Sequence, residues 1–147
     1  MIKHLASLDT LTIITNALNV AAEMGSLTDI HVLLLGGAMN YKTFSTLGPL
    51  VEQNLAGLVV QKVFLAAQSI DNEVGITDTS MEIAQVKRAM VRAARQVILL
   101  ADSSKWKRTG FSKVVPFDAI HTIVSDTNLP EEVAQAIERR GIELLLV

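Results

Sequence analysis

Residues 80–106, SMEIAQVKRAMVRAARQVILLADSSKW, read as an amphipathic helix that runs into a buried strand and ends on a polar cluster. At about 100° per residue, Ile83, Ala84, Val86, Met90, Val91, Ala93 and Ala94 share one arc of a helix from Ser80 to about Gln96. Glu82, Gln85, Arg88, Arg92 and Arg95 fall on the opposite arc. VILLA, Val97 to Ala101, then has the short, β-branched, uniformly apolar character of a strand covered on both faces. Helix and buried strand in succession are the alternation from which parallel sheets are built.

The same alternation extends in both directions. LTIIT (Leu11 to Thr15), IHVLLL (Ile30 to Leu35), VVQKVFLAA around Val63, HTIVS (His121 to Ser125) and IELLLV from Ile142 read as further strands, about six in all. Between them, one helix starts with Asn16 as a plausible N-cap and runs to Gly25, and a short one spans Pro49 to about Gly57. The clearest is LPEEVAQAIERRG: Pro130 suits a first turn, Glu131 and Glu132 complement the positive end, Arg139 and Arg140 the negative end, and Gly141 closes it. Two long loops remain, Gly36 to Leu47 and Gln68 to Thr79, and loops of that length in a compact domain usually carry function. The expectation is an α/β fold with a mostly parallel sheet, in one domain covering residues 1–147.

Composition narrows the function classes. Half of the 147 residues are apolar and 19% are charged, which excludes disorder and a charged binding arm. A net charge of −2 gives no field to hold a nucleic acid or an anionic membrane. Cysteine is absent, so disulfides, zinc fingers and a thiol nucleophile are excluded, and a reducing compartment such as the cytoplasm is the default. No apolar run approaches the roughly 18 residues that span a bilayer, and MIKHLASLDT lacks the apolar region of a signal peptide.

In open parallel sheets ligands bind beyond the carboxyl ends of the strands. Thr15 and Asn16 follow the first strand as a hydroxyl and an amide at a helix start, and Gly36 and Gly37 follow the second as a pair that permits a sharp turn. Asp102, Ser103, Ser104 and Lys105 end VILLA with a carboxylate, two hydroxyls and an ammonium, a set able to accept sugar hydroxyls and hold an anion. An Asx or Ser turn with a solvated lysine explains that set equally well. Asp71, Glu73, Asp78 and Glu82 gather around the second long loop, as either a carboxylate site or a solvated loop. Lys105-Trp106-Lys107-Arg108 reads as a solvated loop rather than a nucleic-acid platform.

Lys87 is the residue out of place. Four after Ile83 and three before Met90, it lies near the middle of the apolar arc, where an unpaired ammonium is costly. It needs an exit to water, a buried carboxylate, or a ligand anion. If the ligand is the partner, Lys87→Met is expected to leave the ligand-free domain as stable or more stable. No catalytic constellation and no metal-ligand set emerges: His4, His31 and His121 are scattered, and neither His-Glu-x-x-His, Gly-x-Ser-x-Gly nor a phosphate loop is present.

Taken in order, TNALNVA (from Thr15), LLLGG (from Leu33), Gly48-Pro49, KVFLAAQSIDNEVGITD (from Lys62), QVKRAMVRAAR (from Gln85) and LLADSSKW (from Leu99) resemble the C-terminal sensor domain of DeoR-family transcriptional repressors. The resemblance covers nearly the whole chain, and VKRAM with DSSK carries most of it. It implies a three-layer, Rossmann-like sheet with helices on both faces, akin to ribose-5-phosphate isomerase and the CoA transferases. It also implies a catalytically inactive receptor for a phosphorylated sugar or related metabolite, needing no cofactor. Thr15, Asn16, Gly36, Gly37, Asp71, Gly75, Lys87, Asp102, Ser103, Ser104 and Lys105 would then line one pocket. Partners would be the small-molecule effector, further copies of the chain, and DNA only through a separate N-terminal helix-turn-helix, with no membrane.

Two departures accompany the resemblance. Family sensor domains usually begin with a strand and a Gly-Thr-Thr phosphate loop, and here MIKHLASLDT precedes LTIIT instead, so these 147 residues are expected to lack both that loop and the family's helix-turn-helix. The isomerases carry Asp-Gly-Ala-Asp-Glu before Ile-Asp, where this chain has Leu65, Ala66, Ala67, Gln68 and Ser69. A sugar-phosphate isomerase, the alternative reading, would need Asp71 or Asp102 as its acid or base, and a domain serving mainly oligomerisation is a third.

Overall fold

The computed structural model describes residues 10–25 and 30–147; His4 and the rest of the N-terminal stretch up to Asp9 lie outside them. The chain divides into two compact units, Met1–Leu55 and Ala56–Val147.

In the first unit β1 (Leu11–Thr15) pairs in parallel with β2 (Ile30–Leu34), from Leu11 opposite Ile30 to Thr15 opposite Leu34. Helix α1 (Leu18–Met24) makes the crossover and buries Met24. It starts two residues after the expected cap: Ala17 occupies the N-cap position without a side-chain bond. The amide of Asn16 points elsewhere, donating to the carbonyl of Thr46 at 2.8 Å. The first long loop is a hairpin of β3 (Ala38–Asn40) and β4 (Ser45–Leu47), followed by α2 (Pro49–Ala56) as expected. Strands of three residues with Asn, Ser and Thr in them carry too little apolar period to stand out in a sequence.

The second unit holds the main sheet, four parallel strands in the order β11 (Glu143–Leu146), β10 (Thr122–Ser125), β8 (Ala94–Leu100) and β5 (Val60–Ala66). A three-stranded antiparallel sheet joins β6 (Ser69–Asp71), β7 (Gly75–Asp78) and β9 (Ser112–Val115). The second long loop is therefore the β6–β7 hairpin. Asp71 makes its turn by accepting the N–H groups of Glu73 and Val74, each at 2.9 Å. Gly75 leaves the turn at φ +94°, where a Cβ would also meet the carbonyl of Val115 at 2.6 Å, so only glycine fits.

Helix α3 (Met81–Ala93) packs against β5, β7, β8 and β9 and buries Ala84, Val86 and Ala93 of the arc read from the sequence, together with Ala89 from outside it, while Ile83, Met90 and Val91 are half-buried. It is three residues shorter than its periodicity suggests. Ala94 and Gln96 pair with Val60 and Lys62 of β5, and ladder bonds in the sheet override the helix propensity of Ala-Arg-Gln. Helix α4 (Glu131–Arg139) runs from Pro130 to Gly141 as read, with Val133 and Ile137 buried. Leu65, Ile70, Ile76, Leu99 and Ile123 are almost wholly buried at the centre, each contributing roughly 1.5–3 kcal/mol. Among the described residues no helix is long and apolar enough to cross a membrane.

Candidate functional site

In the first unit, the polar groups after β1 and β2 are tied to one another. Thr15 Oγ1 accepts the N–H of Ala17 at 3.1 Å, and the carbonyl of Thr15 accepts the N–H of Leu35 at 2.8 Å. Thr46, 8% exposed, fastens both strand ends: its N–H reaches the carbonyl of Asn16 at 2.8 Å and its hydroxyl the carbonyl of Leu35 at 2.6 Å. Gly36 donates to Asn54 Oδ1 of α2 at 3.2 Å. A Cβ on Gly37 would meet the carbonyl of Leu47 at 2.6 Å. Thr15, Asn16, Gly36 and Gly37 thus do come together, and Thr46, which no sequence signal marks, is the residue that joins them.

In the second unit the expected residues fall into three sets. The first is the hairpin tip, where Asp71 pairs with Gly75 across the ladder and also accepts the hydroxyl of Thr109. That hydroxyl, then the N–H groups of Val74 and Glu73, hold the Asp71 carboxyl below the usual carboxylate range. The second set stands at the other end of the same strand. Gly75 and Asp78 are three steps apart, about 10 Å at ~3.4 Å per residue, so Asp71 and Gly75 lie at the far end of the hairpin from Asp78.

At that other end Lys87 meets its anion. Its Nζ lies 2.8 Å from Asp78 Oδ2, with the two side chains 15% and 4% exposed. Asp78 Oδ1 accepts the N–H of Ser80 at 3.0 Å, and Ser80 caps α3 by accepting the N–H of Ile83 at 3.3 Å. Of the three ways out open to the ammonium, the structure takes the buried carboxylate, nine residues upstream on β7. The expectation that Lys87→Met is harmless to the ligand-free protein changes sign, because the substitution strands a buried charge.

Beside the pair, Thr77 is fully buried. Its Oγ1 accepts the N–H of Gly110 at 2.8 Å and lies 2.9 Å from Ser69 Oγ.

The third set follows β8. Asp102 forms an Asx turn, its Oδ1 accepting both the N–H of Ser104, at 2.9 Å, and the Ser104 hydroxyl. Those bonds, the hydroxyl first, hold its carboxyl below the usual range. Lys105 Nζ stands 3.9 Å from Asp102 Oδ2. Ser103 donates its N–H to Asp126 Oδ2 at 2.5 Å, so the ends of β8 and β10 are clasped by a residue the sequence did not single out. The neighbouring basic loop is partly neutralised, as Lys107 pairs with Glu132. Trp106 stacks on Phe117 with ring centroids 6.1 Å apart.

Asp126 gives this clasp a pH dependence. The N–H of Ser103, then that of Asn128, lower its pKa from the ordinary 3.8 to about 2. A carboxyl depressed in the folded state stabilises it above the unfolded pKa, and that contribution is lost as pH falls from about 4 toward about 2. Urea midpoints of Asp126→Asn should therefore differ less between about pH 5 and about pH 3 than those of the unmodified protein. Equal differences in both would remove Asp126 from the acid limb.

Among the described residues no group of three or more His, Asp or Glu is placed to hold a metal ion. The second unit instead presents one mostly buried ammonium, a carboxylate against it, and a turn of hydroxyls with a second ammonium at a strand end. The family model for the DeoR C terminal sensor domain matches residues 1–127, across both units.

The chain belongs to the DeoR C-terminal sensor domain family.

Its relatives agree. It is 32% identical over 137 residues to the uncharacterized HTH-type transcriptional regulator YulB of Bacillus subtilis (strain 168), covering 93% of this chain and 53% of that protein. It is 33% identical over 144 residues to the HTH-type transcriptional repressor GlcR of the same organism, covering 98% and 55%. To the HTH-type transcriptional regulator IolR, also from that organism, it is 30% identical over 135 residues, covering 92% and 54%. The DeoR sensor chain thus spans about half the length of these relatives. All three are named as transcriptional regulators or repressors and none as an enzyme.

Proposed function

We propose that this DeoR sensor domain binds a phosphorylated sugar or related metabolite and, as an oligomer in the cytoplasm, couples its occupancy to DNA binding by a helix-turn-helix outside this chain. The observation that carries the reading is the family match over residues 1–127, within which Lys87 is the cation placed to meet an anion. Asp78 already neutralises that ammonium, so an incoming anion gains from Lys87 only by winning it from the carboxylate, which is tied to the N-cap of the same helix. The Asp102 to Lys105 turn, at the carboxyl end of β8, adds hydroxyls and a cation where parallel sheets receive ligands. Coupling then requires only that the effector bind one arrangement of the regulator more tightly than another.

Turnover is the weaker reading. Leu65 to Ser69 hold no carboxylate, and the two aspartates left for acid–base work, Asp71 and Asp102, have pKa values lowered by their hydrogen bonds. A general base is most effective with a pKa near the operating pH, and both are displaced away from it.

The test is a thermal-shift screen of the 147-residue chain against pentose and hexose phosphates, with the fluorescence of its single tryptophan as a second readout. A ligand at a hundredfold excess over its Kd should add about 2.7 kcal/mol of stability. No rise in Tm and no change in Trp106 emission across the panel would sink the proposal.

A further inference from the structure

We infer that Asp78 is a built-in competitor for the anion that Lys87 receives: its carboxylate holds the ammonium while the site is empty and yields it to an incoming phosphate group. The inference rests on Lys87 being the sensing cation and concerns how that cation is regulated. An ammonium has three N–H donors and no acceptor, and Asp78 Oδ2 at 2.8 Å engages it with full opposite charge. Lys87 is the more accessible of the two, and its four-carbon stem lets it swing.

Asp78 is fixed without Lys87. Its Oδ1 holds the N–H of Ser80 at the start of α3, its backbone pairs with Ser112 of β9, and Gly110 packs directly on its peptide, with room for no Cβ between them. When the lysine leaves, the carboxylate stays in place and keeps one N–H. The pair therefore behaves as two states, Lys87 on Asp78 or Lys87 on the ligand, and the apparent affinity is the intrinsic one reduced by the fraction of Lys87 that is free.

This device also selects among anions. A monoanionic carboxylate ligand offers the ammonium nothing that Asp78 does not already supply. A phosphate offers a charge approaching two and three strong acceptor oxygens, enough to compete. Asp78 thus acts as a specificity-determining residue, setting a threshold that phosphate passes and a carboxylate does not.

The experiment measures binding of inorganic phosphate and of acetate, by titration calorimetry on the 147-residue chain, for the unmodified protein, Asp78→Asn and Asp78→Asn/Lys87→Met. Asparagine keeps an acceptor for Ser80 and removes the competing charge. Asp78→Asn should bind phosphate about two hundredfold more tightly, the expected gain if only about one Lys87 in two hundred is free in the unmodified protein, in keeping with the cost of leaving the buried Asp78 carboxylate unpaired, and its preference for phosphate over acetate should narrow. The double variant should lose phosphate binding.

Equal or weaker phosphate binding by Asp78→Asn, with binding lost in the double variant, overturns the competitor role and leaves Lys87 as the ligand cation. Phosphate binding by the double variant equal to that of the unmodified protein overturns both this inference and the reading of Lys87 beneath it. A second measurement needs no variant to fold. In the unmodified protein the carboxyl carbon resonance of Asp78 should move on phosphate addition with the same midpoint as binding, and a stationary resonance during saturable binding overturns the inference.

Discussion

Lys87→Met is expected to destabilise the ligand-free protein by about 3 to 5 kcal/mol, the cost of leaving one member of a buried ion pair alone. The loss comes from Asp78 rather than from the missing lysine. Its side chain is 4% exposed, and without the ammonium the N–H of Ser80 on Oδ1 is the one hydrogen bond left to the carboxylate among the described residues. Methionine itself fits the apolar arc of α3, where Ala84 and Val86 are buried. Adding Asp78→Asn to Lys87→Met removes the stranded charge and should recover about 2 kcal/mol or more, a coupling that a double-mutant cycle in urea at neutral pH reads directly. If the two single changes simply add, the pair is not energetically coupled and the reading of Asp78 as the lysine's partner is wrong.

Gly110→Ala should cost about 3 kcal/mol, at the upper end for forced overpacking. An alanine Cβ would stand 2.4 Å from the carbonyl oxygen of Asp78, 2.6 Å from its carbon and 2.9 Å from its nitrogen. All three are backbone atoms of a paired strand and have no rotamer to move into. The loop from Lys107 to Phe111 must retreat instead, which breaks the bond from the Gly110 N–H to buried Thr77 Oγ1. Gly57→Ala is the control: nothing lies within 4 Å of its Cβ position, and its effect should stay within about 0.5 kcal/mol. Comparable urea midpoints for the two variants would show that the loop yields freely and does not clamp Asp78.

Legibility followed the length and purity of the hydrophobic signal. The five- to seven-residue strands β1, β2, β5 and β8 were visible through their apolar stretches, although Gln61 and Lys62 interrupt β5 and the first three residues of β8 read as helix. The β3–β4 and β6–β7 hairpins were not, since AMN, STL and SID hold at most two apolar residues each. Their strand character comes from partners: Thr46 binds the ends of β1 and β2, and Ser69 meets Thr77 across the ladder. Both outcomes at DSSK were open in the sequence, and the structure forms the Asx turn while keeping Lys105 beside Asp102. The Asn16 cap failed because a long-range acceptor, the carbonyl of Thr46, took the amide.

By itself the sequence determined the α/β class, the parallel sheet, the family, and the fact that Lys87 requires either an anion or an exit to water, because periodicity and burial are local properties of a chain. Which anion it finds was decided only by the tertiary structure. Asp78 is one of four carboxylates in that stretch, and nothing in its local sequence separates it from Asp71, Glu73 or Glu82. The packing of α3 on β7 and β9 buries Asp78 and sets it 2.8 Å from the ammonium. A turn at Asp71 and Gly75 sends the other aspartate to the far end of the hairpin. Charge pairing depends on distance in three dimensions, and that distance exists only once the strands have paired and the helix has docked on them.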